Sequence, residues 1–289
     1  MTYVAGIDIG STYTKTVILD DAYRVVGRAM INTGFKLAEV SKQTLEMALD
    51  RAGLYESNLD YIVATGFGRH QVTFRDANVT DLNASARGAS FLFPRTRTIL
   101  DVGGQTVKSI RLDDNGRVKS FRLNDKCAAG TGAFLEKTAR YMGYGTEEIG
   151  PLAATSKTAV PISGVCAVFA ESEVINHLSQ GAAPADIMYG AIVSLVDRSV
   201  QLMRRVNMEP EFTLIGGILR FSSMSKVVRE QLASEVNVPE GETVQFTTAL
   251  GAAILGHRRL EKLHSTGSQE KAAAEQLSEA ANPAHSLTQ

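Results

Sequence analysis

Two short segments of the chain each combine an aspartate with glycines and small polar residues. They are Asp8-Ile9-Gly10-Ser11-Thr12 and Asp101-Val102-Gly103-Gly104-Gln105. Phosphate groups are bound by backbone N–H groups and hydroxyls, and the accompanying Mg²⁺ takes hard oxygen ligands such as carboxylates. Each segment therefore predicts a turn that could contact a phosphate and its metal, although an Asp-x-Gly sequence alone could simply end a strand and form a hairpin.

The two segments belong to a longer internal repeat. One constant offset aligns further residues without a gap, namely Gly10 with Gly103, Lys15 with Lys108, Leu19-Asp20-Asp21 with Leu112-Asp113-Asp114, and Val25 with Val118. Chance explains one such match but not the whole series, so we interpret it as a duplication. Two equivalent turns facing each other could bind a nucleotide between two lobes, and Gly216-Gly217 is a third place where backbone could contact this ligand.

The elements that must position these turns form an α/β pattern. Apolar and polar residues alternate on both sides of each acidic turn, which predicts paired strands. Helical spacing is present over residues 38–52, 133–142, 168–178 and 186–206, with further short strands at 61–64 and 212–215. Strands followed by alternating helices and strands predict an α/β fold with mixed sheets.

Other routes to nucleotide or metal chemistry find no support in the sequence. No Gly-Lys dipeptide occurs, so there is no P-loop, and no G-x-G-x-x-G motif is present. The five histidines are scattered without metal-ligand spacing. No Ser/His/Asp arrangement can be argued from this sequence.

The only two cysteines, Cys127 and Cys166, each stand just before a predicted helix. Backbone N–H groups at a helix start favour the thiolate form. Two thiolates cannot complete a tetrahedral metal site or a four-cysteine cluster within one chain, but two chains could share one across a two-fold axis. The alternative is that both residues are small buried hydrophobic side chains.

Composition excludes several classes of protein. The 289 residues are 44% hydrophobic and 21% charged, with a formal net charge of −1, so neither a broad nucleic-acid footprint nor a polybasic membrane patch is expected. The longest apolar stretch, at 249–256, is too short to span a membrane. Two cysteines give no disulfide framework, so we expect a cytoplasmic protein.

The two acidic turns resemble the phosphate motifs of the acetate kinase, sugar kinase, Hsp70 and actin superfamily. The residues around the cysteines, 124–132 and 166–175, narrow the resemblance to the ATP-dependent activators of 2-hydroxyacyl-CoA dehydratases and the ATPase subunits of benzoyl-CoA reductases. The resemblance covers about residues 4–256. It implies a duplicated ribonuclease-H-like fold, with a first lobe at 1–95 and a second lobe at 96–262 that carries both cysteines. The last helix would pack back on the first lobe. Beyond the region of resemblance, residues 263–289 are rich in Ala, Ser, Glu and Gln, and this composition predicts a disordered tail.

The resemblance also implies a site. Asp8 and Asp101 would hold Mg²⁺ and its waters, and Gly216 and Gly217 would flank the adenosine of ATP or ADP. The phosphates would be surrounded by Gly10, Ser11, Thr12, Gly103, Gly104 and Gln105, with Lys15 nearby. Either acid could orient the attacking water. Cys127 and Cys166 of two subunits would share one [4Fe–4S] cluster.

In this family, ATP hydrolysis drives a low-potential electron into an acyl-CoA-binding partner. The resemblance therefore implies a second ATPase subunit, a reductase or dehydratase partner, and a ferredoxin or flavodoxin as electron donor. The alternative from another class is a small-molecule kinase of the same superfamily, without iron.

Two positions depart from the family pattern. Thr106 stands where the activators commonly have Asp, and residues 218–221 replace their usual Val-Ala-x-Asn. Such departures suit one member of an unequal pair of subunits, as in benzoyl-CoA reductases. On this ground we prefer the reductase subunit to the homodimeric dehydratase activator.

Overall fold

The computed structural model describes residues 1–124, 130–163 and 167–280, and of 167, 168 and 267–280 it describes the backbone only. Cys127 and Cys166 therefore lie outside the described residues. Within the described ranges, no helix combines the length and apolar character needed to cross a membrane.

Two mixed five-stranded sheets form the framework. The first sheet has the order β3-β2-β1-β4-β5 and the second has the order β10-β9-β6-β7-β8. The strands are β1 Val4–Ile9, β2 Tyr13–Leu19, β3 Val25–Asn32, β4 Tyr61–Gly66, β5 Ala77–Asn78, β6 Thr98–Val102, β7 Val107–Leu112, β8 Val118–Asn124, β9 Phe212–Ile215 and β10 Val236–Asn237. In each sheet, the three strands that come first along the chain pair antiparallel with one another. The two later strands are added by parallel pairings. The same order occurs twice, which confirms the predicted duplicated α/β fold.

Eight α-helices accompany the sheets in the described residues. They are α1 Leu37–Ala52, α2 Asp81–Leu92, α3 Gly132–Tyr141, α4 Ile149–Ala154, α5 Ala167–Ser179, α6 Pro184–Arg204, α7 Ser222–Leu232 and α8 Thr243–Ala280. The helix predicted over 38–52 ends where expected, because Gly53 adopts a φ of 65° and its N–H bonds to the last turn.

Helix α8 packs on β1, β2 and β4 of the first sheet and on α2. Its apolar residues Phe246, Leu250 and Ile254 are buried against Val17 and Leu19. The first sheet is thus covered by α1 and by a helix from the end of the chain. The lobe boundaries themselves stay a prediction.

The last helix also extends into the segment for which composition predicts a disordered tail, since α8 runs to Ala280. Alanine, glutamate, glutamine and lysine dominate this stretch and are strong helix formers, and adding residues to an existing helix needs no new nucleation. The remaining residues, 281–289, lie outside the described part of the chain.

Candidate nucleotide-binding site

A cavity of about 430 Å³ lies where the ends of the two sheets face each other. Residues from both halves of the chain line it. Every residue predicted to contact the nucleotide or its metal is among them, namely Asp8, Gly10, Ser11, Thr12, Lys15, Asp101, Gly103, Gly104, Gln105, Gly216 and Gly217.

Each half contributes one acid-lysine pair to this cavity. Asp8 in β1 stands directly opposite Lys15 in β2, and their Oδ2 and Nζ atoms are 3.3 Å apart. Asp101 in β6 stands opposite Lys108 in β7, with a corresponding distance of 3.1 Å. Directly opposite residues on antiparallel strands are close enough to interact, so the strand register produces both pairs. The aspartate side chains are only 10% and 9% exposed.

Lys108 also pairs with a second carboxylate. Its Nζ lies 2.9 Å from Oδ2 of Asp81, the first residue of α2. Burial acts to lower the pKa of Lys108, but the carboxylates of Asp101 and Asp81 outweigh it and raise that pKa above its usual value. Burial likewise acts to raise the pKa of Asp81, but the nearby Lys108 ammonium lowers it below the usual value.

One glycine in each half gives the aspartate its space. Gly66 ends β4 with a φ of 86°, and Gly216 comes directly after β9 with a φ of 103°. A Cβ atom would lie 2.6 Å from Oδ1 of Asp8 at the first position and 2.9 Å from Oδ1 of Asp101 at the second. The left-handed backbone and the close approach both require glycine.

The two phosphate-type turns close in the same way and touch each other. The N–H of Gly10 bonds to the carbonyl of Tyr13 at 3.2 Å, and that of Gly103 bonds to the carbonyl of Thr106 at 2.8 Å. A Cβ atom at Gly104 would lie 2.2 Å from Oγ1 of Thr12, so the turns meet across the cleft.

The departures from the family pattern take defined positions. Thr106 closes its turn through its backbone carbonyl, which any residue could supply. Arg220 lines the cavity and pairs with Glu147 at 2.7 Å, with its guanidinium 4.8 Å from the ring centre of Phe221. Ile218 packs against Gly132 at the start of α3, where a Cβ would be 2.7 Å from Ile218 Cγ1.

Helix α3 begins on the second turn. The N–H groups of its first residues, Gly132 and Ala133, donate to the carbonyl oxygens of Gly103 and Gly104 at 3.0 and 2.7 Å. Thus, the helix after the Cys127 segment is fixed to the backbone of the predicted phosphate site.

Residues next to the two cysteine segments line a second cavity. Asn124 and Gly130, which flank the Cys127 segment, and Ile162, which precedes Cys166, line a space of about 640 Å³. In the described ranges, no group of three or more histidine, cysteine or acidic side chains could hold a metal ion.

Several further residues line the nucleotide cavity that the sequence patterns did not indicate, namely Gly66, Arg69, Asp81 and Glu136. Lys108, which the repeat aligns with Lys15, lines it as well. Extending the repeat could have found Gly66, because it comes at the end of a short strand much as Gly216 does. Asp81 gave no such signal, since only the fold brings it to Lys108.

The fold and the site together define a duplicated α/β protein in which two equivalent acid-glycine turns line one cavity. Residues 5–256 match the BadF/BadG/BcrA/BcrD ATPase family. The chain belongs to this family.

Individual relatives agree with this assignment. The 2-hydroxyisocaproyl-CoA dehydratase activator of Clostridioides difficile is 39% identical over 252 residues, covering 87% of this chain and 94% of the relative. A benzoyl-CoA reductase subunit of Thauera aromatica is 34% identical over 292 residues, covering 95% and 100%. The structure of the 2-hydroxyisocaproyl-CoA dehydratase activator from Clostridium difficile with bound ADPNP superposes with a TM-score of 0.86 at 37% identity, covering 92% and 98%.

The family resemblance predicted from the sequence is therefore confirmed. The preference for a reductase subunit is not, because the activator is the more similar of these two relatives. The departures at Thr106 and 218–221 were too small a signal to decide between them.

Proposed function

We propose that this protein hydrolyses ATP to deliver a low-potential electron to an acyl-CoA-binding enzyme, as the activator of a 2-hydroxyacyl-CoA dehydratase. The observation that carries the proposal is the pair of equivalent carboxylates, Asp8 and Asp101, which are largely buried and line one cavity together. The relatives named for dehydratase activation or benzoyl-CoA reduction support the type of partner.

The donor set suits Mg²⁺ and a nucleotide triphosphate. Two carboxylates with hydroxyl and backbone groups around them are the hard oxygen and N–H donors that Mg²⁺ and phosphate prefer. Asp8 and Asp101 would hold the metal and its waters. Ser11, Thr12 and the backbone of Gly104 would contact the phosphates, because Thr12 and Gly104 meet across the cleft and Ser11 lines the same cavity.

Opposite charges around the acids keep them ready for this task. Lys15 and Lys108 each occupy Oδ2 of their aspartate. The Oδ1 atoms lie toward Gly66 and Gly216 at the cavity wall. Either carboxylate can thus orient a water for attack on the terminal phosphate, with the lysine holding the carboxylate in place.

The link to electron transfer runs through α3. Gly103 and Gly104 of the phosphate turn accept hydrogen bonds from the first residues of this helix. A movement of the turn on hydrolysis would therefore shift the helix that comes after Cys127. A [4Fe–4S] cluster supplies one-electron transfer when it is bound, and Cys127 and Cys166 of two subunits would be its ligands.

The dehydratase activator and the reductase subunit differ in their assembly. An activator of this kind pairs with a second copy of itself, whereas the reductase combines two different ATPase chains. We prefer the activator because of its higher identity to this chain. In either assembly, the partner binds the acyl-CoA, and a ferredoxin or flavodoxin supplies the electron.

Anaerobic purification with iron and sulfide analysis tests the proposal. We expect about four irons per two chains when the protein is expressed alone. In Cys127→Ser and Cys166→Ser, we expect the iron to be lost while ADP binding persists, because the nucleotide cavity is built from other residues.

Other outcomes of this experiment have definite meanings. Iron that is found only when a different ATPase chain is co-expressed would favour the reductase. Intact ATP turnover without iron under any condition would overturn electron transfer and favour a kinase. Iron retained in both cysteine variants would exclude these residues as ligands.

A further inference from the structure

The two acid-lysine pairs are related by the repeat but differ in their surroundings. In the second half, Lys108 contacts Asp101 at 3.1 Å and Asp81 at 2.9 Å. In the first half, Lys15 forms one ion pair among the described residues, with Asp8 at 3.3 Å. The duplication has therefore given one lysine two carboxylates and the other a single, longer contact.

Asp81 is fixed by its own local structure. It is the first residue of α2, and the Thr80 side chain caps this helix by accepting a hydrogen bond from the N–H of Asn83. The Oδ1 atom of Asp81 accepts a hydrogen bond from the N–H of Leu82 at 3.1 Å, which leaves Oδ2 for Lys108. The helix start thus determines where Lys108 can lie.

This contact joins the two halves of the molecule. Asp81 begins the helix that leads from the first sheet to the second, whereas Lys108 belongs to β7 of the second sheet. The lysine side chain is only 14% exposed, so its ammonium is committed to carboxylates instead of water. Asp101 is therefore held by Lys108, and Lys108 is bound in turn by Asp81, a residue outside the second sheet.

We propose that Asp81 is a positioning residue for ATP hydrolysis, acting through Lys108 to fix the Asp101 carboxylate. Within the described residues, Lys15 has no such second carboxylate, so the proposal concerns the second half of the chain alone. This inference rests on the proposed ATP hydrolysis, but on neither the cluster nor the partner.

Steady-state ATP hydrolysis by the full-length protein tests the proposal. In Asp81→Asn, Lys108 can move away from Asp101, so we expect kcat to fall about tenfold or more, as small misplacements of reacting groups do. The KM for MgATP and the Kd for MgADP should change less than about threefold, since the two carboxylate oxygens of Asp81 already contact the N–H of Leu82 and Lys108.

Two further comparisons separate positioning from general structural damage. Asp81→Glu keeps the charge and should recover part of the lost kcat. Asp76→Asn is the matched control. It removes the charge of a carboxylate that accepts a hydrogen bond from the backbone N–H of Ile62 at 2.7 Å and does not pair with Lys108. It should leave both kcat and KM close to wild type even if it lowers the melting temperature.

A double-mutant cycle tests the route through Lys108. If Asp81 acts only through this lysine, adding Asp81→Asn to Lys108→Met should cause no further loss of kcat. The proposal is overturned if the two losses multiply, if Asp81→Asn leaves kcat unchanged, or if it raises KM and Kd in place of lowering kcat. If Asp81→Asn does not fold, Asp81→Glu and Lys108→Met still test the proposal. A wild-type kcat in Lys108→Met would overturn it.

The wild-type control separates this inference from the proposed function. ATP turnover in the wild type with unchanged kcat in the Asp81 variants would overturn the inference alone. Turnover with the expected kcat losses but without iron would support the inference while overturning electron transfer. Absence of ATP turnover in the wild type would overturn both.

Discussion

The two halves of the chain build the same sheet but differ in the segment after the third strand. In the first half, β3 leads through α1 to β4. In the second half, the described residues between β8 and β9 include α3, α4, α5 and α6, and the segments with Cys127 and Cys166 fall in the same stretch. The duplicated strands therefore form the phosphate-type site, and the unduplicated insertion carries the residues on which the proposed electron transfer depends.

The strongest test of the equivalence is removal of each acid. Asp8→Asn and Asp101→Asn should each lower kcat for ATP hydrolysis about a hundredfold or more, because each removes a preorganised charge on a largely buried side chain. The measurement is steady-state phosphate release with saturating MgATP. If one of these two variants kept wild-type turnover, the two halves would not share the chemistry.

The glycines after the parallel strands give the next largest effect. Gly216→Ala should cost about 2 kcal/mol of unfolding free energy, since the new Cβ would lie 2.3 Å from the Val102 carbonyl oxygen in a left-handed backbone. It should also weaken MgADP binding by pushing against Asp101. Gly66→Ala should behave in the same way beside Asp8, and urea unfolding with calorimetric ADP titration measures both effects.

The adjacent glycine is the matched control for this prediction. At Gly217, the nearest atom to an added Cβ is Gln245 Oε1 at 3.6 Å, and the first half carries Phe67 at the corresponding place. Gly217→Ala should therefore leave stability nearly unchanged. Equal losses at both glycines would contradict our account of why Gly216 is required.

The smallest effect concerns the equivalent acidic turns after β2 and β7. Asp20 accepts hydrogen bonds from the Arg24 guanidinium at 2.7 Å and from two backbone N–H groups. Among the described residues, the hydrogen bonds to Asp113 come from the backbone N–H groups of Asn115 and Arg117. The Arg24 side chain lowers the pKa of Asp20 below its usual value, and the Arg117 backbone N–H does the same for Asp113.

A lowered pKa in the folded state stabilises the protein above the unfolded pKa, about 3.9 for aspartate, and this stabilisation is lost as the pH falls further. Asp20→Asn should therefore destabilise the protein at pH 7 more than Asp113→Asn, and both differences from wild type should shrink near pH 3. Urea unfolding at the two pH values measures this. Differences that stayed constant with pH would exclude the carboxylate charge as their cause.

The sequence was sufficient for the parts of the site that lie on the repeat. Asp8 and Asp101 could be predicted because each lies at the end of a strand pattern, and the paired strands then bring Lys15 and Lys108 opposite them. Asp81 could not, because its contact with Lys108 depends on how α2 crosses between the sheets. The apolar residues of α8 would suit any amphipathic helix, so their pattern alone does not predict which sheet the helix covers. The family resemblance implied the first lobe, and α8 does pack there, around Val17 and Leu19.

The most direct test of the central claim measures whether the nucleotide site and the cysteines are coupled. The anaerobically purified, reduced protein would be examined by EPR spectroscopy before and after addition of MgATP, with Asp101→Asn treated identically. We predict a cluster signal that changes on MgATP addition in the wild type and does not change in the variant. An unchanged wild-type spectrum under conditions where ATP is hydrolysed, or no cluster signal at all, would contradict the account.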